Sequence, residues 1–364
     1  MLADAVRPVY DGPGLSTLVP AILSTPRADW LPASAREARS VVLLVLDGLG
    51  WDALDANRTR LTNLASLDGG PVPTVVPSTT ATALTSLTTG LAPAQHGVTG
   101  FRVRLDGGVL NILSWQGVKP RPPDPRSVQR HAAFLRREVP VVTKAEFRNS
   151  GFSTVQHDGA RVHGWTALSS LVEHCRRLVE AGEPFVYAYY PGVDTVAHHH
   201  GLRDGFYDAE LGAADRLVGD LLDVLPDECA LVVTADHGQV HMGQDSWLAL
   251  GVSSTLVDVC SGDGRFRYLH ARKGAARELV AEARKEHERH AWVLSREELL
   301  DEGWLGPDPS PATRARVGDV VLAARDAVGF VDPELPVEAR LRSAHGSLTE
   351  AEMLVPVVAG RGRG

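Results

Sequence analysis

Three short apolar runs, each followed directly by acidic or histidine side chains, constrain the fold of this chain most strongly. Ser40–Leu46 (SVVLLVL) and Cys229–Thr234 (CALVVT) are continuous and rich in β-branched residues, as are strands buried on both faces of a parallel sheet. Phe185–Tyr190 (FVYAYY) has a similar length and the same kind of ending. Stretches with apolar residues at helical spacing, 168–181 and 207–225, lie among these runs. This alternation predicts an α/β fold with a doubly wound, mostly parallel sheet and helices on both faces.

The residues that follow these strands indicate where a site would lie. Asp47 follows the first run, Asp194 comes shortly after Phe185–Tyr190, and Asp236 and His237 follow the last run. In open α/β sheets, ligands bind just beyond the carboxyl ends of the strands. We therefore expect these acidic and imidazole groups to meet at one edge of the sheet.

A second unit is expected near the C-terminus, where the sequence changes in character. Segment 251–342 holds a strand-like RFRYLHA, a charged helix over 275–290, a Pro-rich loop and a strand-like run at 319–323. We interpret it as a small α+β cap or insert that covers the site. The α/β core would then comprise residues 1–250 and 343–364.

Composition limits the functional classes. The formal net charge of −8 argues against a nucleic-acid polymer as partner, because such proteins normally carry a basic excess. No segment has the roughly 18 apolar residues of a membrane span, and the N-terminus lacks the pattern of a secretory signal. The three cysteines are widely spaced and form no CxxC pair, which is typical of a reducing compartment. We expect a cytoplasmic protein that acts on a small molecule, away from membranes.

Two pairs of residues have the spacing of metal ligands. In PGVDTVAHHHG, Asp194 and His198 would lie on one face of a helical turn and could share a metal ion. The alternative is a capping aspartate followed by surface histidines. Asp236 and His237 could both reach one ion if the chain turns sharply at Gly238. The alternative for that pair is an Asx-turn with a neutral histidine.

Two further residues complete a possible set of ligands. Asp47 follows the first strand, although a helix N-cap would also explain it. His345 precedes a final apolar run, and a lone histidine before glycine usually has no special role. Together the chain offers three aspartates and three histidines, enough for two three-ligand sites with open positions. Such mixed nitrogen and oxygen ligands suit zinc well, with manganese or iron as alternatives.

A threonine-rich segment supplies a candidate nucleophile. The sequence PSTTATALTSLTTG opens a predicted helix that ends at Gly90. A hydroxyl in the first helical turn lies where backbone N–H groups and the helix dipole favour an anion. The alternative is a cluster of N-capping threonines on an ordinary helix.

The order of these motifs resembles that of the alkaline phosphatase superfamily. D-G, P-S-T-T before a T-G-L…H-G segment, D-x-x-x-H, D-H-G and a late H-G follow one another over about residues 41–358. Within the superfamily, the sequence is most similar to the nucleotide pyrophosphatase/phosphodiesterase group. The resemblance implies a two-metal phosphodiesterase or pyrophosphatase with a phospho-threonine intermediate and a small phosphate ester as substrate. The alternatives are a phosphomonoesterase, a phosphonate hydrolase, a sulfatase or a catalytically silent metal-binding relative.

The resemblance also implies a role for each candidate residue. One zinc ion would be bound by Asp194, His198 and His345, and the other by Asp47, Asp236 and His237. The nucleophile would be Thr80, ten residues before Gly90, with the adjacent Thr79 as the alternative.

The sequence departs from the family pattern at the expected phosphate and nucleobase contacts. Phe101 stands about where the phosphodiesterases have an asparagine that binds a non-bridging oxygen. Arg102 or Arg104 could replace it, as an arginine does in monoesterases, or both could be surface charges. Ala81 stands where an aromatic residue usually helps to hold a nucleobase. Tyr189 stands where some monoesterases have an acid for a third metal site, so the sequence does not support such a site.

Overall fold

A seven-stranded sheet forms the centre of the fold in the computed structural model, which describes residues 2–364. Five neighbouring strands run parallel, and the last strand of the chain is antiparallel to both of its neighbours. This arrangement confirms the predicted mostly parallel α/β sheet flanked by helices. In sheet order the strands are Asp68–Pro73, Leu354–Arg361, Cys229–Thr234, Ser40–Leu46, Phe185–Tyr190, Pro140–Lys144 and Arg161–Trp165.

The three strands predicted from apolar runs occupy the middle of this sheet with the predicted bounds. Every residue of Ser40–Leu46, Phe185–Tyr190 and Cys229–Thr234 is buried. Their side chains belong to the main apolar core together with those of the surrounding helices. Burial on both faces explains why these strands are apolar throughout instead of alternating with polar residues.

Fifteen α-helices connect or flank the strands within residues 2–364. The predicted helices at 168–181 and 207–225 are observed as Leu168–Glu180 and Gly205–Val224. The others are Leu15–Leu23, Ala33–Arg36, Trp51–Ala56, Thr62–Ala65, Thr80–Thr89, Pro93–His96, Pro125–Val128, Gly151–His157, Gly192–His200, Ala276–His287, Arg296–Asp301, Pro311–Arg316 and Glu350–Met353. No helix of residues 2–364 is both long and apolar enough to cross a membrane. The cytoplasmic location stays a prediction.

Segment 251–342 contains a four-stranded antiparallel sheet. Its strands, in sheet order, are Val257–Gly262, Phe266–Ala271, Val320–Ala324 and Ala291–Ser295. Alternate residues belong to two separate apolar clusters, one of which also includes core residues such as Val76 and Met353. The sheet thus packs on the core through one cluster. We retain the division into a core and a 251–342 cap as a proposal.

A three-stranded sheet that we did not predict shares an apolar cluster with core residues such as Ala81 and forms an ion pair with segment 251–342 through Arg104 and Asp258. Its strands are Arg102–Leu105, Gly108–Asn111 and Gln116–Val118. Two further pairs of short strands join distant parts of the chain: Val240–His241 with Ser343–Ala344, and Trp247–Leu248 with Gly329–Phe330. The first of these pairs brings the residue after Ala344, His345, towards the loop that follows Cys229–Thr234.

Candidate active site

The carboxyl ends of neighbouring parallel strands bring Asp47 and Asp194 together. Asp47 N–H donates to the carbonyl of Tyr190, and Asp194 N–H donates to the carbonyl of Asp47, both at 3.0 Å. Gly48 between them has φ +77°, and a Cβ there would lie 2.9 Å from Cβ of Asp194. A glycine is therefore needed for the two strand ends to approach this closely.

One cluster of possible metal ligands consists of Asp194, His198 and His345. A ligand atom from each lies within 4.8 Å of the others. Oδ1 of Asp194 is 3.3 Å from Nε2 of His198 and 3.7 Å from Nε2 of His345. Asp194 and His198 share helix Gly192–His200, as their spacing predicted. His345 comes from almost 150 residues further along the chain, a juxtaposition that only the fold creates.

A second cluster consists of Asp47, Asp236 and His237. Its ligand atoms also lie within 4.8 Å of one another, and all three residues are buried. Nε2 of His237 is 3.6 Å from Oδ1 of Asp47 and 3.3 Å from Oδ2 of Asp236. The structure therefore brings all six predicted ligands together in the predicted groups of three.

The three histidines are oriented alike, with Nδ1 against a backbone carbonyl. A carbonyl oxygen can only accept, so Nδ1 carries the proton and Nε2 keeps a lone pair for the cluster. Such contacts orient histidine ligands at metal centres. The Nδ1 atoms of His198, His345 and His237 lie 2.8, 3.0 and 3.1 Å from the carbonyl oxygens of Ser343, Ser78 and Gly238.

The carboxylates of the second cluster have buried oxygens with no hydrogen-bond partner in residues 2–364. These atoms are Oδ1 of Asp47 and Oδ2 of Asp236. Burial raises the pKa of both carboxyls, and the negative charges of Asp236 and Asp194 raise the pKa of Asp47 further. Burial lowers the pKa of His345, as do the neighbouring His237 and His198. Unpaired buried oxygens beside imidazole nitrogens fit bound divalent cations, which would supply the missing partners.

Gln239 and Tyr189 contact proposed metal ligands, and we predicted neither contact from the sequence. The Gln239 amide donates to Oδ1 of Asp194 at 2.7 Å, and the Ser343 hydroxyl donates to the Gln239 carbonyl oxygen. The Tyr189 hydroxyl donates to Oδ2 of Asp47. In the sequence, Tyr189 was noted only because it stands where some monoesterases have an acid, whereas in the structure its hydroxyl bonds to a proposed metal ligand. The one weak sequence signal for a role of Gln239 at the site is its position two residues after His237.

Thr80 is the first residue of helix Thr80–Thr89, and its hydroxyl faces the second cluster. Its Oγ1 lies 3.0 Å from Nε2 of His237. The Thr79 hydroxyl is directed elsewhere, towards Oγ1 of Thr82 at 3.3 Å, and no side chain caps the helix. The first-turn N–H groups of the helix therefore remain available beside Thr80, where they favour an anion.

Two cavities meet at Thr80. One has a volume of about 450 Å³ and is walled by the first cluster, by Phe101 and by residues of segment 251–342 such as Asp263 and Leu335. The other has a volume of about 350 Å³ and is walled by core residues on the side of Asp47. Thr80, Leu113 and Asp194 line both cavities.

Phe101 lies at the site, whereas the other two predicted substrate contacts, Arg102 and Arg104, lie in ion pairs away from it. Phe101 lines the larger cavity, as does Ala81. Arg102 forms a buried ion pair with Asp332, and Arg104 forms an exposed pair with Asp258 at 2.9 Å. Neither arginine lines the two cavities, so the structure does not bring them to Thr80.

Comparison with known proteins identifies the chain first as a phosphoryl hydrolase of the alkaline phosphatase superfamily. More narrowly, residues 41–348 match the type I phosphodiesterase/nucleotide pyrophosphatase family model, and the chain belongs to that family. The expected resemblance is thus confirmed. Among curated protein sequences, none matches the chain.

Solved structures show the same fold at low sequence identity. Murine ectonucleotide pyrophosphatase/phosphodiesterase 5 superposes with a TM-score of 0.69 at 15% identity, over 88% of this chain and 87% of that one. An inactive threonine-to-alanine variant of that protein, in complex with AMP, gives 0.66 at 14% identity over the same shares. Phosphonoacetate hydrolase from Sinorhizobium meliloti 1021, in complex with phosphonoformate, gives 0.63 at 17% identity, over 90% of this chain and 91% of that one.

Proposed function

We propose that this chain is a two-metal phosphodiesterase that transfers a phosphoryl group to Thr80 and then to water. The observation that carries this proposal is the Thr80 hydroxyl, 3.0 Å from Nε2 of His237, at an uncapped helix N-terminus beside both clusters. A hydroxyl in that position can meet a phosphate whose charge the helix end favours.

Each cluster would bind one divalent ion. Asp194, His198 and His345 would hold one, and Asp47, Asp236 and His237 the other. Two carboxylates with one imidazole, or one carboxylate with two, suit zinc best, with manganese or iron as alternatives. When bound, the two ions would supply positive charge for phosphoryl oxygens and lower the pKa of a coordinated hydroxyl or water.

In the first step, Oγ1 of Thr80 attacks phosphorus. The new bond joins Thr80 to phosphorus, the bond to the leaving-group oxygen breaks, and the hydroxyl proton is lost as the leaving oxygen gains one. In the second step, water attacks the phospho-threonine, which restores Thr80 and releases a phosphomonoester. The chain contributes by holding the nucleophile in line and keeping it oriented at the end of a rigid helix.

The pair of cavities supports a diester as substrate. A diester carries two organic substituents on phosphorus, and a monoester carries one. Cavities of about 450 and 350 Å³ that share Thr80 and Asp194 offer separate space for two substituents. Both volumes are in the range of small-molecule sites, which fits a small phosphate ester.

The relatives support the same chemistry. The murine variant that is described as inactive has lost a threonine and binds AMP, a product that a nucleotide diester or pyrophosphate would release. Membership of the type I phosphodiesterase/nucleotide pyrophosphatase family favours the same reaction. The phosphonoacetate hydrolase neighbour makes phosphonate hydrolysis the second candidate to be assayed.

Hydrolysis of bis-(p-nitrophenyl) phosphate, p-nitrophenyl phosphate and phosphonoacetate by the zinc-loaded protein tests this proposal. We expect chelator-sensitive preference for the diester. Asp194→Asn should lose the activity, whereas Asp258→Asn, an exposed acid outside the cavities, should keep it. Preference for the monoester or for phosphonoacetate would overturn the diester assignment. Two bound metals without turnover of any of these substrates would indicate a catalytically silent relative.

A further inference from the structure

The larger cavity beside Thr80 offers few side-chain N–H groups for a phosphoryl oxygen. No lysine or arginine is among its described lining residues. The Trp247 indole N–H donates to the carbonyl of Leu341 at 3.3 Å, and the Nδ1 atoms of His198 and His345 lie against backbone carbonyls. A phosphoryl group in transfer needs donors for its non-bridging oxygens, because negative charge is spread over them.

The side-chain amide of Asn111 can supply such a donor. It lines the same cavity as Thr80, Asp194 and His345. Ser114 N–H donates to Oδ1 of Asn111 at 3.0 Å. Since an N–H can only be bonded by the oxygen, this contact fixes which end of the amide is which. Nδ2 of Asn111 has no hydrogen-bond partner within residues 2–364 and remains free to donate.

The backbone around Asn111 is held firmly. Asn111 is paired with Arg102 in the antiparallel strands Arg102–Leu105 and Gly108–Asn111. Its carbonyl accepts from Trp115 N–H at 2.8 Å, and the next residue, Ile112, donates to the carbonyl of Phe101 at 2.9 Å. A donor on a fixed strand end needs little reorganisation to bind an oxygen, which is what makes such groups effective in catalysis.

We propose that Nδ2 of Asn111 donates a hydrogen bond to a non-bridging oxygen of the phosphoryl group as it is transferred to Thr80. The inference rests on the proposed function and adds a catalytic residue to it. Phe101 stands about where the family pattern has an asparagine. Asn111, ten residues further along the chain, lines the same cavity as Phe101.

Two substitutions separate donation to substrate from a structural role. Asn111→Asp keeps an oxygen for Ser114 N–H and keeps the side-chain shape, but it replaces the donor with a negative oxygen. Asn111→Ala removes both functions. Loss of an oxyanion donor costs on the order of 10²-fold in rate, so we expect at least this loss for Asn111→Asp and a similar or smaller one for Asn111→Ala. A purely structural role predicts the reverse: normal rates for Asn111→Asp and a deficit for Asn111→Ala.

The experiment compares kcat/KM on bis-(p-nitrophenyl) phosphate for the zinc-loaded full chain and these variants. Asn57→Asp is the matched control, because the Asn57 amide donates to the carbonyl of Ala53 and lies outside both cavities. Metal content and melting temperature are measured for each variant. An Asn111→Asp protein with wild-type kcat/KM would overturn the inference while leaving the proposed function intact.

Binding of inorganic phosphate gives a second readout that needs no turnover. We expect Asn111→Asp to weaken phosphate binding to the zinc-loaded protein by about tenfold or more, a loss of about 1.4 kcal/mol. Equal phosphate affinity in wild type and Asn111→Asp would overturn the inference even if no substrate is turned over. A wild-type protein that binds phosphate without hydrolysing any ester would count against the proposed function alone.

Discussion

The Arg265 guanidinium and the Glu352 carboxylate form a fully buried, bidentate ion pair, with Nε–Oε1 and Nη2–Oε2 distances of 2.8 Å. Arg265 belongs to segment 251–342, and Glu352 lies in helix Glu350–Met353 of the core. Oε1 of Glu352 also accepts from Ser347 N–H, and its carbonyl accepts from Gly238 N–H, both at 2.9 Å. The pair therefore connects segment 251–342 with the loops that carry His345 and His237.

Glu352→Gln should destabilise the protein strongly. It leaves the Arg265 charge buried without a counter-charge, and breaking a buried pair in this way costs about 3–5 kcal/mol. The free energy of unfolding in urea measures the loss. Glu297→Gln removes the acid of an exposed pair with Arg314 and should cost about 1 kcal/mol or less. Equal losses for the two variants would contradict the structural role of the buried pair.

Divalent ions should raise the melting temperature, and chelator should lower it. The unpaired buried oxygens of Asp47 and Asp236 gain partners when an ion binds. At a free concentration 100 times Kd, one site stabilises the fold by about 2.7 kcal/mol. Asp236→Asn should reduce this zinc response and stabilise the metal-free protein, because it removes one of two adjacent negative charges. Differential scanning calorimetry with and without zinc checks both effects, and an unchanged zinc response in Asp236→Asn would contradict the second cluster.

Asp263 should make stability depend on pH. Burial, the largest cause, and the charge of Glu338 raise the pKa of Asp263 from 3.8 to about 7. The folded state holds this proton more tightly than the unfolded state. The contribution to stability is therefore complete below about pH 4 and is lost as pH rises through about 7. In metal-free protein, wild type should lose more stability than Asp263→Asn between pH 5 and pH 8. Parallel urea midpoints across that range would contradict the raised pKa.

Arg102 and Arg104 should differ in the effect of their substitution, because only Arg102 forms a buried ion pair. Arg104→Met breaks an exposed pair with Asp258, so kcat/KM and stability should stay near wild type. Arg102→Met leaves the buried Asp332 carboxylate without its partner and should lower the unfolding free energy by about 3–5 kcal/mol. A loss of catalysis in Arg104→Met without a loss of stability would indicate that Arg104 binds the phosphate and would contradict its assignment as a surface charge.

The central strands and the metal-ligand pairs could be predicted because their signals are local. Ser40–Leu46 is apolar throughout because both of its faces are buried, and Asp194 and His198 are neighbours on one helical turn. The three-stranded sheet that carries Asn111 consists of strands of three or four residues, too short for a clear pattern. The Arg265–Glu352 pair joins residues 87 positions apart, and no local signal predicts such a contact.

The nucleophile was predicted only with the help of the family resemblance. Composition and spacing indicated only a hydroxyl of the threonine-rich segment in the first helical turn, and the resemblance then implied Thr80 with Thr79 as the alternative. The side-chain directions distinguish them, since the Thr79 hydroxyl faces Thr82 and the Thr80 hydroxyl faces His237. Such directions depend on the helix start at Thr80, a boundary that sequence patterns fix only within a few residues.

Turnover and metal content of Thr80→Ala, with Thr79→Ala as its matched control, test the central claim most directly. The account predicts that zinc-loaded Thr80→Ala binds two metal ions and loses diester hydrolysis on the order of 10⁴-fold or more, as removal of a catalytic nucleophile does. Thr79→Ala should keep both its metals and most of its activity. Hydrolysis by Thr80→Ala at the wild-type rate, with both metals bound, would contradict a phospho-threonine mechanism at Thr80.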